Sequence, residues 1–509
     1  MNASVLPTLG WDVLPALPDA AQVIVPAASV RDLPERAIQF GTGAFLRGFV
    51  DYFLDVANAA GQFNGRVVAV GSTGSGRDRA FGEQDGLYTL VSRGLENGAL
   101  IEERRIVGAV SRALSAQDEW ADVLACARSP HLSLVFSNTT EVGFTLDEGD
   151  ALDAAPPRSF PGKLTRFLLE RARTFAFAPS KGLIVLPCEL LEQNGAQLRR
   201  LVLQVAELWE CEPGFARWVQ ESVTFCDTLV DRIVPGAPRG EDAAQLQRTL
   251  GYQDSLLTTA ECFRLFVIAG DDVLKARLGF ADADAGIVVT PDIAAYRTRK
   301  VSLLNGAHTV SVATALLTGC DTVLQAMQHP AVGTYLQRVL LDEILPVVDA
   351  PNADAFARSV LERFANPHVQ HALIDITLHG TTKWRVRVVP TLVRAVERTG
   401  RVPDGIAFGL AAHLVFARGE IAAARKSAGL SVPADELGDV IRAAWQGVDD
   451  RSTTSLQSFV KRVLEDTSLW GVDLSVLPQL QHTVVTHVSR ICSQGALRAL
   501  DALLSVGVA

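Results

Sequence analysis

The hydrophobic pattern of this chain changes near Pro291. Before that residue, short β-rich runs alternate with amphipathic stretches at helical spacing, whereas the rest of the chain reads almost wholly as helices. Strands that alternate with helices form βαβ units, which build a mostly parallel sheet with helices on both faces. A chain of 509 residues also exceeds what one hydrophobic core usually serves. We therefore predict an α/β protein with a parallel-sheet domain at residues 1–292 and a mostly α-helical domain at residues 293–509.

Apolar runs, with Gly and Pro between them, give the individual elements of this prediction, and they place the domain boundary within residues 290–298. The predicted strands are Ala37–Phe40, Arg66–Gly71, Leu132–Asn138, Leu183–Pro187, Leu265–Ala269 and Gly286–Thr290. The predicted helices of the second domain are Val301–Leu317, Leu336–Leu345, Ala355–Phe364, Ile406–Ala417, Glu436–Ala444, Leu456–Leu464 and Ser489–Leu504.

The charge and cysteine content limits the class of partner. A formal net charge of −10 argues against a nucleic acid or an anionic membrane as partner, but a few local cations could still hold a small anionic substrate. No run approaches the roughly 18 apolar residues of a membrane helix, and the first thirty residues lack the basic start of a signal peptide. The seven cysteines are scattered and contain no Cys-x-x-Cys, which is typical of a reducing compartment. We expect a cytoplasmic protein that acts on a small molecule, and the pattern implies no protein partner.

A glycine turn follows the first predicted strand. Residues 41–48 (GTGAFLRG) come directly after that strand and open a predicted helix. A dinucleotide site needs this arrangement, because glycines let the backbone approach a pyrophosphate and the helix start offers N–H groups. The match to G-x-G-x-x-G is incomplete, since Leu46 stands where the third glycine would be. The turn favours a Rossmann-like N-terminal domain, with a plain tight turn as the alternative.

The loop after the second predicted strand bears on the type of cofactor. Residues 71–77 (GSTGSGR) lack the acidic residue that usually binds the ribose of NAD at this place. The hydroxyl of Ser72 and the guanidinium of Arg77 would suit a 2′-phosphate, which leaves NADP open beside NAD. A flexible glycine loop with a solvated arginine explains the same residues equally well.

Three polar residues at the start of the second domain, Lys300, Asn305 and His308, are candidate catalytic residues. On a helix, Asn305 lies about 140° from Lys300 and His308 about 80°, so all three can share a face. Oxidising an alcohol by hydride transfer needs a base for the hydroxyl proton and a donor to the developing alkoxide, and a desolvated lysine and an asparagine amide meet these needs. The alternative is a basic helix start with a capping asparagine and a core histidine.

Eight segments, in this order along most of the chain, resemble one known family, the polyol-specific long-chain dehydrogenases. The Lys-x-x-x-x-Asn-x-x-His pattern of Lys300, Asn305 and His308 resembles that family's signature. The resemblance implies a metal-independent, NAD-linked dehydrogenase of polyols or sugar acids with a Rossmann-like N-terminal domain. The segments are residues 39–49 (QFGTGAFLRGF), 84–89 (QDGLYT), 135–143 (VFSNTTEVG), 187–195 (PCELLEQNG), 229–236 (LVDRIVPG), 299–309 (RKVSLLNGAHT), 363–367 (RFANP) and 380–383 (GTTK).

The family's functional positions can be transferred to this sequence one by one. The resemblance implies that Lys300 is the general acid/base, that Asn305 and Asn194 donate hydrogen bonds to the reacting oxygen, and that His308 contacts the substrate. Asp231 and Lys383 match positions in the family's substrate pocket, and Glu141 matches an acidic position that lines its active site. The implied cofactor-binding residues are Gly41, Gly43, Phe45, Arg47, Ser72, Asn138 and Glu141.

Two departures from the family pattern put simple polyol specificity in doubt, without deciding the substrate. Mannitol- and fructuronate-acting members tend to carry Phe-His-Arg-Ala-His where this chain has residues 45–49 (FLRGF). Polyol-oxidising members have an arginine eight positions before the lysine equivalent to Lys383, and Asp375 stands there in this chain. A uronate carboxylate needs a cation, and Lys383, Arg385 and Arg387 alternate as residues of a strand would.

Several alternatives stay open at this point. Arg385 and Arg387 are more simply interpreted as a solvated basic edge, whereas the family match makes Lys383 a substrate cation. The competing functions are a fructuronate reductase or a mannitol-type polyol dehydrogenase with the same chemistry, and a nucleotide-binding protein without catalysis. His368 and His371 are spaced like a metal pair, but no pattern of further ligands completes them, so we predict no metal.

Overall fold

The computed structural model describes residues 6–72, 76–139, 143–238 and 240–505, except for the side chain of Ala20. The chain forms two compact units. The first contains Met1–Gly94 and Leu100–Ile293, and the second contains Leu95–Ala99 and Ala294–Ala509. Leu95–Ala99, which lies within the predicted first domain, thus groups with the second unit.

The predicted α/β class is confirmed, with the strands before the helical region. The strands are β1 (Val23–Ile24), β2 (Glu35–Phe40), β3 (Arg66–Gly71), β4 (Tyr88–Glu96), β5 (Ala99–Val107), β6 (Val110–Ser115), β7 (Leu134–Ser137), β8 (Ile184–Pro187), β9 (Thr224–Phe225), β10 (Thr228–Asp231), β11 (Thr258–Ala260), β12 (Leu265–Ala269) and β13 (Ile287–Thr290). The helices of the first unit are α1 (Ala44–Gly48), α2 (Val50–Ala59), α3 (Arg77–Glu83), α4 (Trp120–Ala127), α5 (Phe160–Thr174), α6 (Asn194–Leu208), α7 (Pro213–Ser222), α8 (Gly240–Leu250) and α9 (Asp272–Leu278).

The main sheet of the first unit has the strand order β6-β3-β2-β7-β8-β9, and each neighbouring pair is parallel. Strand β2, the first of these six in the chain, lies inside the sheet; β3 and β6 follow on one side of it, and β7, β8 and β9 follow on the other. This is the strand order of a doubly wound dinucleotide-binding fold. Two smaller sheets, β1-β5-β4-β11 and β10-β12-β13, complete the unit.

Side chains of the main sheet alternate between two cores, because successive residues of a strand point to opposite faces. In β3, Val67 and Ala69 belong to the core that contains Phe53, whereas Val68 and Val70 belong to the core that contains Phe167. A sheet covered on both faces needs nearly continuous apolar strands, and this requirement made these strands recognisable in the sequence.

The second unit is helical and packs around one buried helix. The α-helices are α10 (Ala294–Arg299), α11 (Ala307–Leu317), α12 (Val323–Gln328), α13 (Pro330–Arg338), α14 (Ala353–Phe364), α15 (Leu373–Ile376), α16 (Gly380–Lys383), α17 (Val389–Thr399), α18 (Asp404–Phe416), α19 (Glu420–Ser427), α20 (Glu436–Ala444), α21 (Thr453–Glu465), α22 (Thr467–Trp470), α23 (Leu480–Gln494) and α24 (Ala496–Ser505). Lys300–Gly306, Val339–Ile344 and Trp384–Val388 are π-helical. Helix α18 is buried from Gly405 to Leu414 and packs against α11 and α23.

Three local predictions were wrong. The predicted helix Ser489–Leu504 is two helices, because Gly495 breaks it with a φ of +83°. The predicted helix Val301–Leu317 begins with a π-helical turn. Lys383, Arg385 and Arg387 lie on a helical segment and not on a strand.

The length and hydropathy of the helices show whether any of them could span a membrane. Among the described residues, no single helix is long and apolar enough to cross a bilayer; α18 and α19 pass this test only as a pair bent by 46°.

Candidate active site

The glycine turn after β2 leaves its backbone accessible. Gly41 has a φ of +140°, and a Cβ atom at this residue would lie 2.9 Å from Cδ1 of Leu46, so only glycine fits. A Cβ atom at Gly43 would have no neighbour within 4 Å among the described residues. The backbone at Gly43 therefore faces open space in which a ligand could approach it.

The turn lies at the point where the strand order reverses. Strands β2 and β7 are neighbours, and Gly41 and Asn138 follow their carboxyl ends. A Cβ atom on Gly41 would lie 3.4 Å from the carbonyl oxygen of Asn138, and the Asn138 amide donates to the carbonyl of Cys188 at 2.9 Å. Ligands of open parallel sheets bind in this crevice. Ser72 is exposed after the next strand, β3, whereas Glu141 lies outside the described residues.

Arg47 is buried behind this turn. Its guanidinium is 5% exposed and donates to the carbonyl of Thr42 at 2.6 Å and to Oγ1 of Thr258 at 3.0 and 3.1 Å. These bonds hold Arg47 inside the unit, where it fixes the turn from beneath; direct contact with a cofactor stays a prediction. Phe45 is half-buried and stacks on Phe49, with 5.0 Å between ring centroids.

A buried polar network beneath the turn was missed in the sequence. Asp51 is buried in α2, where it accepts hydrogen bonds from Tyr88 Oη at 3.2 Å and from Gln39 Nε2 at 3.4 Å. Tyr88 Oη also lies 2.8 Å from the carbonyl of Arg47. Burial raises the pKa of Asp51 to about 7, although both hydrogen bonds oppose this shift. The QDGLYT motif contains Tyr88, but nothing in the sequence showed that an aspartate lies beneath it.

Asp51→Asn is expected to make the stability of the protein less dependent on pH. Because the folded-state pKa lies above the ordinary value of 3.8, this group's stabilisation is complete below about pH 4 and disappears as the pH rises through about 7. The free energy of unfolding of the native protein, relative to Asp51→Asn, should therefore fall by roughly 2–3 kcal/mol between about pH 5 and about pH 8. Urea unfolding at both pH values measures it.

The matched control is Asp122→Asn, which changes an exposed carboxylate of the same unit. The native protein and this control should keep a constant difference across the same pH range. If Asp51→Asn also keeps a constant difference, Asp51 is ionised in the folded protein over the whole range.

Asn194 makes a dense set of hydrogen bonds within the first unit. Its buried amide nitrogen lies 3.0 Å from each of three acceptors, the carbonyls of Pro187 and Glu189 and Oγ1 of Thr228. Its oxygen accepts from the N–H groups of Gly195 and Thr228, both at 2.9 Å. Two amide hydrogens already have three acceptors. Asn194 thus joins the end of β8 to β10, and its role as a donor to the reacting oxygen stays a prediction.

Two buried carboxylates lie at strand ends of the first unit. Glu189, which the sequence analysis did not select, accepts from Oγ of Ser137 at 3.1 Å and from the N–H of Thr139 at 2.9 Å. Burial raises the pKa of Glu189. Asp231 ends β10, pairs with Leu265 of β12 and is 4% exposed. The family motif had pointed to Asp231 alone.

In the second unit, Lys300 and Asn305 lie on one π-helical turn. A π-helix closes its hydrogen bonds between residues i and i+5. Lys300 and Asn305 are five residues apart, so they stand closer to one face than the 100° steps of an α-helix suggest. Both side chains are half-buried. The Asn305 amide has no hydrogen-bond partner within the described ranges, and only its backbone carbonyl accepts, from Oγ1 of Thr309 at 2.8 Å.

His308 follows on α11 in a strongly desolvated position. Its ring centroid lies 4.0 Å from that of Phe364 and 5.4 Å from that of His371. Burial keeps the pKa of His308 well below its ordinary value, and the nearby His371, Arg363, Arg387 and Lys383 act in the same direction. The imidazole is therefore neutral at physiological pH and can both donate and accept a hydrogen bond.

The basic residues that follow α15 differ in their surroundings. Lys383 is half-buried and donates to the carbonyl of Ile376 at 2.9 Å. Arg385 is exposed, in agreement with a solvated edge, whereas Arg387 is half-buried and corrects that interpretation. Asp375 is exposed on α15 and raises the pKa of His371, which burial lowers.

The described part of the chain contains no group of three or more His, Cys, Asp or Glu residues that could hold a metal ion.

Two family models match this chain in succession. The mannitol dehydrogenase Rossmann domain matches residues 35–281, and the mannitol dehydrogenase C-terminal domain matches residues 292–492. The chain belongs to the mannitol dehydrogenase family and is an oxidoreductase, which confirms the family resemblance.

Relatives in this family include altronate oxidoreductases. The one from Yersinia enterocolitica is 41% identical over 478 residues, which cover 93% of this chain and 97% of the relative. The one from Bacillus subtilis is 39% identical over 472 residues, which cover 92% and 95%.

Two solved structures share the fold at lower identity. Pseudomonas fluorescens mannitol 2-dehydrogenase, in a ternary complex with NAD and D-mannitol, is 22% identical with a TM-score of 0.69, covering 98% of this chain and 99% of that one. A substrate-free D-sorbitol dehydrogenase is 24% identical with a TM-score of 0.76, covering 97% and 100%.

Proposed function

We propose that this protein reduces D-tagaturonate to D-altronate with NADH, reversibly and without a metal, as a cytoplasmic step of hexuronate catabolism. The altronate oxidoreductases that resemble it span nearly the whole chain. The observation that carries the proposal is the pairing of Lys300 and Asn305 on one π-helical turn, next to His308 and a group of cations. The first two residues suit carbonyl reduction, and the cations suit a substrate with a carboxylate.

The first unit fits a dinucleotide on its own geometry. Gly41 and Gly43 leave the backbone of the turn uncovered, and the turn lies at the reversal of strand order where dinucleotides bind. Asn138 and Ser72, at the ends of β7 and β3, would face the same crevice. A bound NADH would supply the hydride for the carbonyl carbon. Arg77, at the start of α3, keeps NADP as the alternative cofactor.

The residues of the second unit would manage the proton and the charge on oxygen. Lys300, as an ammonium group, donates a proton to the carbonyl oxygen of the keto acid as that oxygen gains negative charge. The Asn305 amide, which has no hydrogen-bond partner among the described residues, donates a hydrogen bond to the same oxygen without titrating. The neutral imidazole of His308 donates to or accepts from a substrate hydroxyl. In the reverse direction, Lys300 without its proton takes the hydroxyl proton of the alcohol.

The deciding experiment measures NADH and NADPH oxidation by the purified protein with D-tagaturonate, D-fructuronate and D-fructose side by side. We expect the highest kcat/KM with D-tagaturonate and NADH. Faster reduction of D-fructuronate would assign the chain to the fructuronate-reducing branch, and faster reduction of D-fructose would make it a polyol dehydrogenase. Binding of NADH without turnover of any of the three would support a nucleotide-binding protein that has lost catalysis.

A further inference from the structure

Three basic side chains lie near His308 within the second unit. Arg363, Lys383 and Arg387 each act electrostatically on its imidazole, as does the nearby ring of His371. These residues come from α14, from the segment before α15, from α16 and from the π-helical stretch Trp384–Val388. The sequence separates them by up to 24 positions, so only the fold brings them together.

Arg387 is the cation of this group whose charge is not compensated. It is half-buried, and its guanidinium has no hydrogen-bond or ion-pair partner within the described ranges of the chain. Burial is the one cause that acts on its pKa, which is lowered. Further along the same helical run, Arg394 donates to the carbonyl of Val347 at 3.0 Å, and Arg398 pairs with Asp349 at 2.8 Å. A guanidinium that is partly withdrawn from water and has no partner gains from a ligand that supplies one.

Lys383 lies near Arg387 and retains donor capacity. The two residues are four apart on a continuous helical run, and the positive charge of Arg387 contributes to the lowered pKa of Lys383. The Lys383 ammonium donates to one carbonyl, that of Ile376, and so keeps two hydrogens for other acceptors. The carboxylate of Asp435 is occupied by Thr381, whose N–H and hydroxyl donate to it at 3.0 and 2.9 Å.

We infer that Arg387, assisted by Lys383, binds the carboxylate of the sugar-acid substrate. The inference rests on the proposed function: Arg387 would be the side chain by which the enzyme distinguishes a uronate from the neutral ketose of the same configuration. A guanidinium can grip a carboxylate with two parallel hydrogen bonds, and a lysine beside it adds a point charge. The neutral His308 adds no charge beside the two cations. The carboxylate that acts on Lys383 is that of Asp435, which also accepts from Thr381, whereas Asp375 is exposed and acts on His371.

Arg385 provides a matched control two residues away. It lies on the same π-helical stretch but is exposed, and it donates to the carbonyl of Ser468 at 3.5 Å. Arg385→Met and Arg387→Met therefore remove the same charge from the same element, one at the surface and one beside His308. Any general effect of lowering the local charge or of weakening the helix should appear in both variants.

The experiment compares both variants and Arg387→Lys on D-tagaturonate and on D-tagatose, in which a CH2OH group replaces the carboxylate. Arg387→Met should raise KM for D-tagaturonate and lower its kcat/KM on the order of 10²-fold, the usual effect of losing a hydrogen bond to a charged group. The kcat/KM of Arg387→Met for D-tagatose should stay within about twofold of the native value. For Arg385→Met, kcat/KM should stay within about twofold of the native value on both D-tagaturonate and D-tagatose. Arg387→Lys should recover part of the loss, because it keeps the charge but not the two-pronged geometry.

The possible failures are distinct. If Arg387→Met and Arg385→Met reduce the uronate equally well, another group binds the carboxylate and only this inference is lost. If the native enzyme prefers D-fructuronate, the same variants test the inference on that uronate while the proposed substrate is lost. If the native enzyme reduces neutral sugars and no uronate, both are lost.

Discussion

Lys300→Ala should lower kcat for the keto acid by about 10²–10⁴-fold, the range that general acid–base catalysis supplies. The variant lacks the only side chain of the turn Lys300–Gly306 that carries a transferable proton on nitrogen. Binding of NADH should change little, because the residues expected to hold it belong to the first unit and Lys300 belongs to the second. Steady-state kinetics at neutral pH, with a fluorescence titration of NADH, measure the two quantities separately.

Two further variants show whether the loss is chemical. Lys461→Ala removes an exposed lysine of the same unit and should leave kcat unchanged. Lys300→Arg restores the positive charge but holds its proton too tightly to release it at neutral pH, so it should stay nearly as slow as the alanine variant. Added alkylamines should restore part of the activity of Lys300→Ala in proportion to their concentration. Near-native turnover of Lys300→Ala would remove the lysine from the mechanism.

The sequence predicted the fold where burial leaves a simple pattern. Strands β3 and β12 are nearly continuous apolar runs bounded by turns, since both of their faces are covered. The hairpin of β4 and β5 was missed. Its second strand carries the charged run of residues 102–105 (EERR), and its pattern is neither apolar nor strictly alternating.

The segment from Lys383 to Arg387 shows how a local pattern misleads. Residues 383–389 (KWRVRVV) alternate basic and apolar side chains, which is the period of a strand. Trp384 and Val388 are nevertheless buried four positions apart on a π-helical stretch. Packing against the other helices decides this element, and a short alternating run cannot show it.

The sequence indicates those candidate site residues that follow a regular spacing, but it does not indicate the buried carboxylates. The glycine turn and the pattern of Lys300, Asn305 and His308 are readable because each follows a fixed interval along the chain. The buried carboxylates of Asp51 and Glu189 contact Tyr88 and Ser137, which are 37 and 52 residues away in the sequence, and a hydrophobic pattern does not show such contacts. Only the fold distinguishes Arg387 from Arg385, which look alike in the sequence.

The π-helical turns connect fold and site. The stretch Lys300–Gly306 packs against the other two stretches, Val339–Ile344 and Trp384–Val388. A Cβ atom at Gly306 would lie 3.6 Å from the carbonyl oxygen of Arg387 and 4.0 Å from Cδ1 of Ile344, so the three stretches come close together at this residue. The extra residue in such a turn moves Asn305 towards the face of Lys300, which a regular α-helix would not do. This places the amide where it can serve the same oxygen as the lysine.

Asn305→Ala should therefore lower kcat by about 10²–10³-fold with little change in KM, the usual effect of removing one donor to a developing oxyanion. Asn305→Asp should lower kcat at least as much, because it keeps the size of the side chain but places a negative charge beside an oxygen that becomes negative. Initial rates over a range of keto-acid concentrations separate the two parameters. A loss confined to KM in both variants would assign Asn305 to substrate binding. An aspartate variant that remains as active as the native enzyme would show that the amide of Asn305 does not face the reacting oxygen.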